Sequence, residues 1–253
     1  MNNNEDNPII EKHNGINVLR DDLLVGGTKS ILMSSIIKPD IDEYVYASPV
    51  YGGFQIALSA YCQLKNKKAT IFCAKRNIKH KNTLKCLSYG ATVIEVPYGY
   101  LSVVEKKARE YCNNKSNIEK IIFGANTIEN KMLISDRVKT VITQLGKEPD
   151  EIWCAIGSGT LISGILMTVN ENVKVFGVQV GAEFIPDKEY KNLTIIKYPK
   201  AFDYESRLKV DFHSTANYDL KAFELCLKHQ DKERKENKEN NTKDKNVLFW
   251  NVL

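Results

Sequence analysis

Short apolar runs bounded by turn residues alternate with amphipathic stretches along almost the whole chain, and this alternation limits the fold more than any other feature. Ile16–Arg20, Tyr44–Ala47, Ala69–Ala74, Ala91–Val96, Ile121–Phe123, Glu151–Ile156 and Val173–Val180 read as strands. Between them, helical spacing runs over Phe54–Leu64, up to Tyr89-Gly90, over Leu101–Cys112, Lys131–Leu145 and Leu161–Val169. A strand returned to its sheet by a helix lies parallel to the strand before it, and the helices must cover both faces. The fold class is therefore α/β, with parallel sheet flanked by helices as one large domain or two lobes, and ligands are expected beyond the carboxyl ends of the strands.

Composition narrows the function classes. With 43% hydrophobic and 26% charged residues, the 253-residue chain has the make-up of a globular protein. Residues 1–15 read as a polar leader without the basic and apolar regions of a signal peptide, and no apolar run is long enough to span a bilayer, so a cytoplasmic setting is expected. The net charge of +5 comes from basic residues interleaved with acidic ones, which argues against a nucleic-acid surface. Six scattered cysteines with no Cys-x-x-Cys and no nearby histidine pair read as free thiols, and no metal is expected. Residues 228–246 are almost entirely polar and read as a solvated charged insertion or a frayed helix end, after which Asn246–Leu253 resumes a strand pattern.

Two places carry chemistry. Gly157-Ser158-Gly159-Thr160, between a buried strand and an apolar helix, has the make-up of an anion-binding turn, because glycines let backbone amides approach a phosphate; the same turn also occurs for purely structural reasons. No Lys-Ser/Thr pair follows it, so it is not a nucleotide-triphosphate loop. Lys29 follows Gly26-Gly27-Thr28, a hinged setting in which a lysine can turn toward a pocket; Thr28 or Ser30 is expected to cap the helix that follows.

The order of these segments resembles the fold-type-II pyridoxal-phosphate (PLP) enzymes, the tryptophan synthase β-like family that includes threonine dehydratase, cysteine synthase, D-cysteine desulfhydrase and ACC deaminase. Leu19-Arg20-Asp21-Asp22-Leu23 with Gly27-Thr28-Lys29 is similar to the family's lysine segment. Ala47-Ser48-Pro49-Val50-Tyr51-Gly52-Gly53 resembles its substrate-carboxylate loop, Gly157-Ser158-Gly159-Thr160-Leu161 its phosphate turn, and Asn217-Tyr218-Asp219-Leu220-Lys221-Ala222 a segment of the desulfhydrase and deaminase branch.

That resemblance implies two lobes of parallel sheet, with residues 16–253 as the PLP-binding unit and 44–125 as a smaller lobe inserted in it. It implies PLP as cofactor, Lys29 as its Schiff-base lysine and Gly157, Ser158, Gly159, Thr160 and Leu161 as its phosphate cradle. Ser48 reads as a donor to the substrate carboxylate or as a plain turn residue, and Tyr218 as an active-site phenol or as core. The family's loop asparagine-histidine pair aligns with Val50-Tyr51, so that contact to the cofactor is lost unless the Tyr51 hydroxyl replaces it. Asn251 is the one polar side chain near the C-terminus able to meet the pyridine nitrogen in place of the family's serine or threonine, and it reads equally as a strand-end amide. The implied function is a lyase acting on a small amino acid by β-elimination or deamination, of dehydratase or desulfhydrase type. A β-replacement synthase is the alternative, as is a non-catalytic PLP- or metabolite-binding scaffold. Dimers are usual among the proteins it resembles, which implies a homodimer.

Overall fold

The computed structural model describes residues 7–97, 99–181, 183–240 and 243–253. The chain starts with two antiparallel strands, β1 (Ile10–His13) and β2 (Ile16–Arg20), so part of the stretch read as a polar leader is an edge strand; residues 1–6 of that leader lie outside the described residues. A 3-10 turn over Gly27–Leu32 leads into the single helical turn α1 (Met33–Ile36). Neither Thr28 nor Ser30 caps it. The cap position of α1 is Leu32 and that of the 3-10 turn is Gly26; neither forms a side-chain cap bond, and Gly26 lies in the left-handed region at φ 84°. Only glycine fits there, since a Cβ would lie 2.5 Å from the backbone of Ala57.

Then follow β3 (Glu43–Ser48), α2 (Phe54–Leu64), β4 (Lys68–Ala74), α3 (Lys81–Ser88), β5 (Thr92–Val96), α4 (Leu101–Cys112) and β6 (Ile118–Ile121). The strand expected at 121–123 ends instead at Ile121: Phe123–Ala125 form a 3-10 turn with Gly124 at φ 68°, and Ile122 and Phe123 are exposed. Residues 24–126 form one compact unit around a four-stranded parallel sheet of order β5-β4-β3-β6. Its core joins Val45, Ala47 and Phe72 of the sheet to Val104 and Ala108 of α4.

The second compact unit takes in the residues up to Leu23 and those from Thr127 on. Thr127 caps α5 (Ile128–Leu145) by accepting from the Asn130 amide at 3.2 Å, which starts this helix three residues before the expected Lys131. After α5 come β7 (Glu151–Ile156), α6 (Thr160–Leu166), β8 (Lys174–Gln179), β9 (Leu193–Lys197), α7 (Asp219–Asn240) and β10 (Val247–Asn251). The six-stranded sheet has the order β1-β2-β10-β7-β8-β9, and every pair except β1-β2 is parallel. Trp153 stacks on Phe176 at 4.2 Å in its core, beside Phe223 and Phe249. The stretch read as a charged insertion is helical to Asn240. Gln230, one of its polar residues, is buried and donates to Glu151 at 2.8 Å; residues 241–242 lie outside the described residues.

One ion pair sits inside this unit. Asp21, fully buried, accepts from Arg137 Nη2 of α5 at 2.8 Å and from Trp250 Nε1 of β10 at 3.0 Å, so it ties the end of β2 to both elements. Removing the guanidinium would strand a buried carboxylate, a change that typically costs ~3–5 kcal/mol. Arg137→Ala is expected to lower unfolding stability by about 3 kcal/mol in urea titration, whereas Lys139→Ala, which breaks an exposed pair with Asp136 on the same helix, should change it by less than about 1 kcal/mol.

Candidate active site

In the unit of residues 24–126, Lys29 stands on the Gly27–Leu32 turn. Its side chain is half-buried, its amine donates to the Gly124 carbonyl oxygen at 3.1 Å, and no carboxylate among the described residues pairs with it. Removal from water favours the neutral form and lowers its pKa from 10.5 to about 8. The turn that supplies its acceptor is itself held in place, because the Gly124 amide donates to the buried Tyr46 hydroxyl of β3 at 3.3 Å.

Ser48 ends β3 and is buried, with its hydroxyl donating to the Pro49 carbonyl at 2.9 Å. The loop that follows is shaped by Gln55, a fully buried residue of α2 whose amide group donates to the carbonyls of Val50 at 3.0 Å and Gly52 at 2.9 Å. Sequence reasoning treated Gln55 only as part of a helix. Its signal was a polar residue on the apolar face of α2, directly behind a Gly-Gly turn. Tyr51 lies on the same loop, its ring edge-on to His80 at 4.8 Å, and His80 in turn caps α3.

In the other unit, β7 delivers Gly157-Ser158-Gly159 to the start of α6. Thr160 and Leu161 form the first turn of α6 and are buried, and the Ser158 and Thr160 hydroxyls are 3.1 Å apart. Gly159, at φ 83°, occupies the cap position with no side-chain bond to it. Both glycines are required by close neighbours: a Cβ on Gly157 would come 2.7 Å from the Tyr218 hydroxyl, and one on Gly159 would come 2.2 Å from the Phe184 ring. Tyr218 therefore stands against the glycine turn, and burial pushes its phenol up from the ordinary value. Phe184 was not anticipated, since nothing in its local sequence singles it out.

Asn251 ends β10, the strand beside β7, so it lies at the same carboxyl edge of the sheet as Gly157. It is fully buried. Its amide group donates to Asp22 Oδ1 at 2.8 Å and to the His213 carbonyl at 2.7 Å, and its Oδ1 has no partner among the described residues. Close by, Asp219 at the start of α7 accepts from the Leu253 amide at 3.0 Å, and burial pushes its carboxyl well above the usual carboxylate range. The structure thus groups the glycine turn, Tyr218 and Asn251 in one unit, and Lys29, Ser48 and Tyr51 in the other.

One unit has a glycine turn beyond a parallel strand, of the kind that can take an anion, and the other has a desolvated lysine with no counter-ion among the described residues. The family of pyridoxal-phosphate dependent enzymes matches residues 29–218, and the chain belongs to it. Its cofactor is pyridoxal 5'-phosphate, and its fold is of the tryptophan synthase β-like kind. Among solved structures, the chain is similar to a hydrogen sulfide-producing enzyme from Fusobacterium nucleatum at 16% identity and TM-score 0.73, over 100% of this chain and 98% of that one. It is also similar to an O-acetylserine dependent cystathionine β-synthase from Helicobacter pylori at 16% identity and TM-score 0.72, over 100% and 95%. An ACC deaminase homologue aligns at 15% identity and TM-score 0.75, over 94% and 83%. A search of curated proteins gives no match. No helix among the described residues is long and apolar enough to cross a membrane.

The lowered pKa of Lys29 has a direct consequence. Below about pH 8 the group is an ammonium, and above it a free amine, whereas an exposed lysine changes only near ~10.4. In cofactor-free protein, competitive acylation followed by mass spectrometry is expected to place the midpoint of Lys29 labelling near pH 8, at least about one unit below the ordinary exposed-lysine range. A midpoint shared with the surface lysines would contradict this electrostatic picture.

Proposed function

We propose that the chain is a PLP-dependent lyase that acts on a small amino acid by β-elimination or deamination. The observation that carries this reading is Lys29: an amine with no counter-ion, held on a carbonyl and shifted toward its neutral, nucleophilic form, at the residue where the family match begins. The residues present suit the cofactor. The amine can take its aldehyde, the turn's glycines add no side chain of their own between phosphate and backbone, and the Asn251 Oδ1, without a partner among the described residues, is a buried acceptor in need of a donor.

When bound, PLP draws electron density from the substrate's α-carbon. Lys29 would be the residue that holds the cofactor, and its free amine would move the proton at that carbon. Gly157, Ser158, Gly159, Thr160 and Leu161 bind the phosphate through their amides and hydroxyls. Ser48 and the loop shaped by Gln55 orient the substrate carboxylate, Tyr51 stands where the family carries a different cofactor contact, and Tyr218 lies against the phosphate turn. Asn251 has both amide hydrogens committed to protein acceptors, so what it offers a ring nitrogen is an acceptor, which suits the protonated form. A homodimer, a cytoplasmic setting and a smaller lobe over 44–125 belong to the same reading.

The test is spectroscopic first. Purified protein with PLP is expected to be yellow, to lose the band on borohydride reduction, and to lose it altogether in Lys29→Ala; colourless wild type overturns the reading. Serine, threonine and cysteine of either hand are then offered, with keto-acid release as the expected result. The similarity to an O-acetylserine dependent synthase favours β-replacement as a second reading, and thioether or cysteine formation from O-acetylserine without keto acid would select it. A nitrogen-15 resonance of labelled PLP in the protonated range is expected for wild type, moving to the unprotonated range in Asn251→Ser.

A further inference from the structure

We infer that the unit completed by residues 127–253 carries a divalent-metal site, built from Glu151, His229 and Glu233 and occupied in the metal-free chain by the Lys245 ammonium. Glu151 opens β7, and His229 and Glu233 lie one turn apart on α7. Their ligand atoms all fall within 4.8 Å of one another. His229 Nε2 is 3.4 Å from Glu233 Oε1 and 3.8 Å from Glu151 Oε2. Tetrahedral ligands at zinc distances are separated by about 3.4 Å, so a small inward movement closes the set on one ion.

The groups around these three are arranged as metal ligands require. Trp153 Nε1 at 3.2 Å and Gln230 Nε2 at 2.8 Å both donate to Glu151, orienting a carboxylate with no exposed surface. The His229 ring is held between Trp153 at 5.2 Å and Phe176 at 5.1 Å. Two of the converging atoms, His229 Nε2 and Glu233 Oε2, are buried and have no hydrogen-bond partner among the described residues. An imidazole nitrogen facing two carboxylates can donate to only one of them, whereas a metal ion satisfies all three groups at once.

Lys245 Nζ now supplies part of that charge, 2.7 Å from Glu151 Oε1 and bonded to Glu233 Oε1. Its side chain is 28% exposed, and Glu233 and Lys245 line a cavity of about 590 Å³, so the ammonium can swing to solvent and an ion has a way in. Two carboxylates balance a divalent ion once the lysine has left. One histidine nitrogen with two carboxylate oxygens suits a first-row metal such as Zn²⁺ or Co²⁺, with a fourth position left to water. The site is at the amino end of β7 and the glycine turn at its carboxyl end, ~20 Å away along the strand, so the ion would brace α7 against the sheet and take no part in turnover.

The test uses untagged, full-length holoenzyme, stripped with chelator and titrated with Zn²⁺ by calorimetry and with Co²⁺ by visible absorption. One ion per chain is expected, with histidine-type cobalt bands and a rise in Tm. His229→Ala and Glu233→Gln should each weaken binding by at least ~10-fold, and Lys245→Met, which removes the competing ammonium, should tighten it by about as much. Absence of stoichiometric binding in Lys245→Met overturns the site and leaves a salt-bridge cluster. Binding that survives both His229→Ala and Glu233→Gln overturns it too, placing the ion elsewhere. Glu233→Gln keeps the shape of a partly exposed side chain, so its result separates lost ligation from lost folding.

Discussion

The central strand of the six-stranded sheet is the last one the chain makes. β10 lies parallel to β2 on one side and to β7 on the other, so the sheet has a gap between an early strand and a middle one until residues 247–251 arrive. Every feature at the carboxyl edge of this sheet depends on that closure. Asn251 reaches Asp22 and the His213 carbonyl only from β10, Trp250 completes the partners of buried Asp21, and the Leu253 amide and carbonyl hold Asp219 and Thr215. A parallel strand gains its hydrogen bonds from both neighbours, which is why five residues, all fully or nearly fully buried, suffice to fix the C-terminal segment.

Placing the chemistry beyond strand ends has a cost that the structure meets locally. The glycine turn of β7 is pressed by Tyr218 and Phe184, so its backbone conformation is set by neighbours as well as by its own φ preference. The loop after β3 is closed by a backbone bond from the Gly52 amide to the Pro49 carbonyl, and buried Gln55 supplies further bonds from behind. Lys29 is held by a carbonyl in place of a carboxylate. An ion pair would keep the amine protonated, whereas a neutral acceptor leaves desolvation to act unopposed. The same logic runs in reverse around Glu151, where buried carboxylate and nearby imidazole are left to a mobile lysine.

Most of the strands and helices, and the order of the motifs, were legible in the sequence because both depend on local spacing. The misreadings occurred where tertiary contacts override local pattern. Ile122 and Phe123 look like strand residues but turn outward after β6, because Gly124 must adopt a left-handed conformation to bring its amide to Tyr46 and its carbonyl to Lys29. The polar run after Lys228 looks unfoldable, yet it stays helical to Asn240, since Gln230 is drawn into the buried bonds of Glu151 on the facing strand. Ile10–His13 looks like part of a leader but forms a strand, because Ile16–Arg20 offers it an open sheet edge.

By itself the sequence determined the parallel α/β class, the position of Lys29 behind its glycines, the glycine turn at 157–159 and the family these imply, because periodicity, glycine placement and motif order are properties of neighbours along the chain. Tertiary structure alone decided which polar groups are left wanting. That the Lys29 amine has only a carbonyl, that Asn251 has spent both hydrogens and kept a bare acceptor, and that Glu151 meets His229 and Glu233 all depend on residues far apart in the chain. Hydrogen-bond satisfaction and desolvation are set by what surrounds a group in space, and no spacing along the chain encodes that.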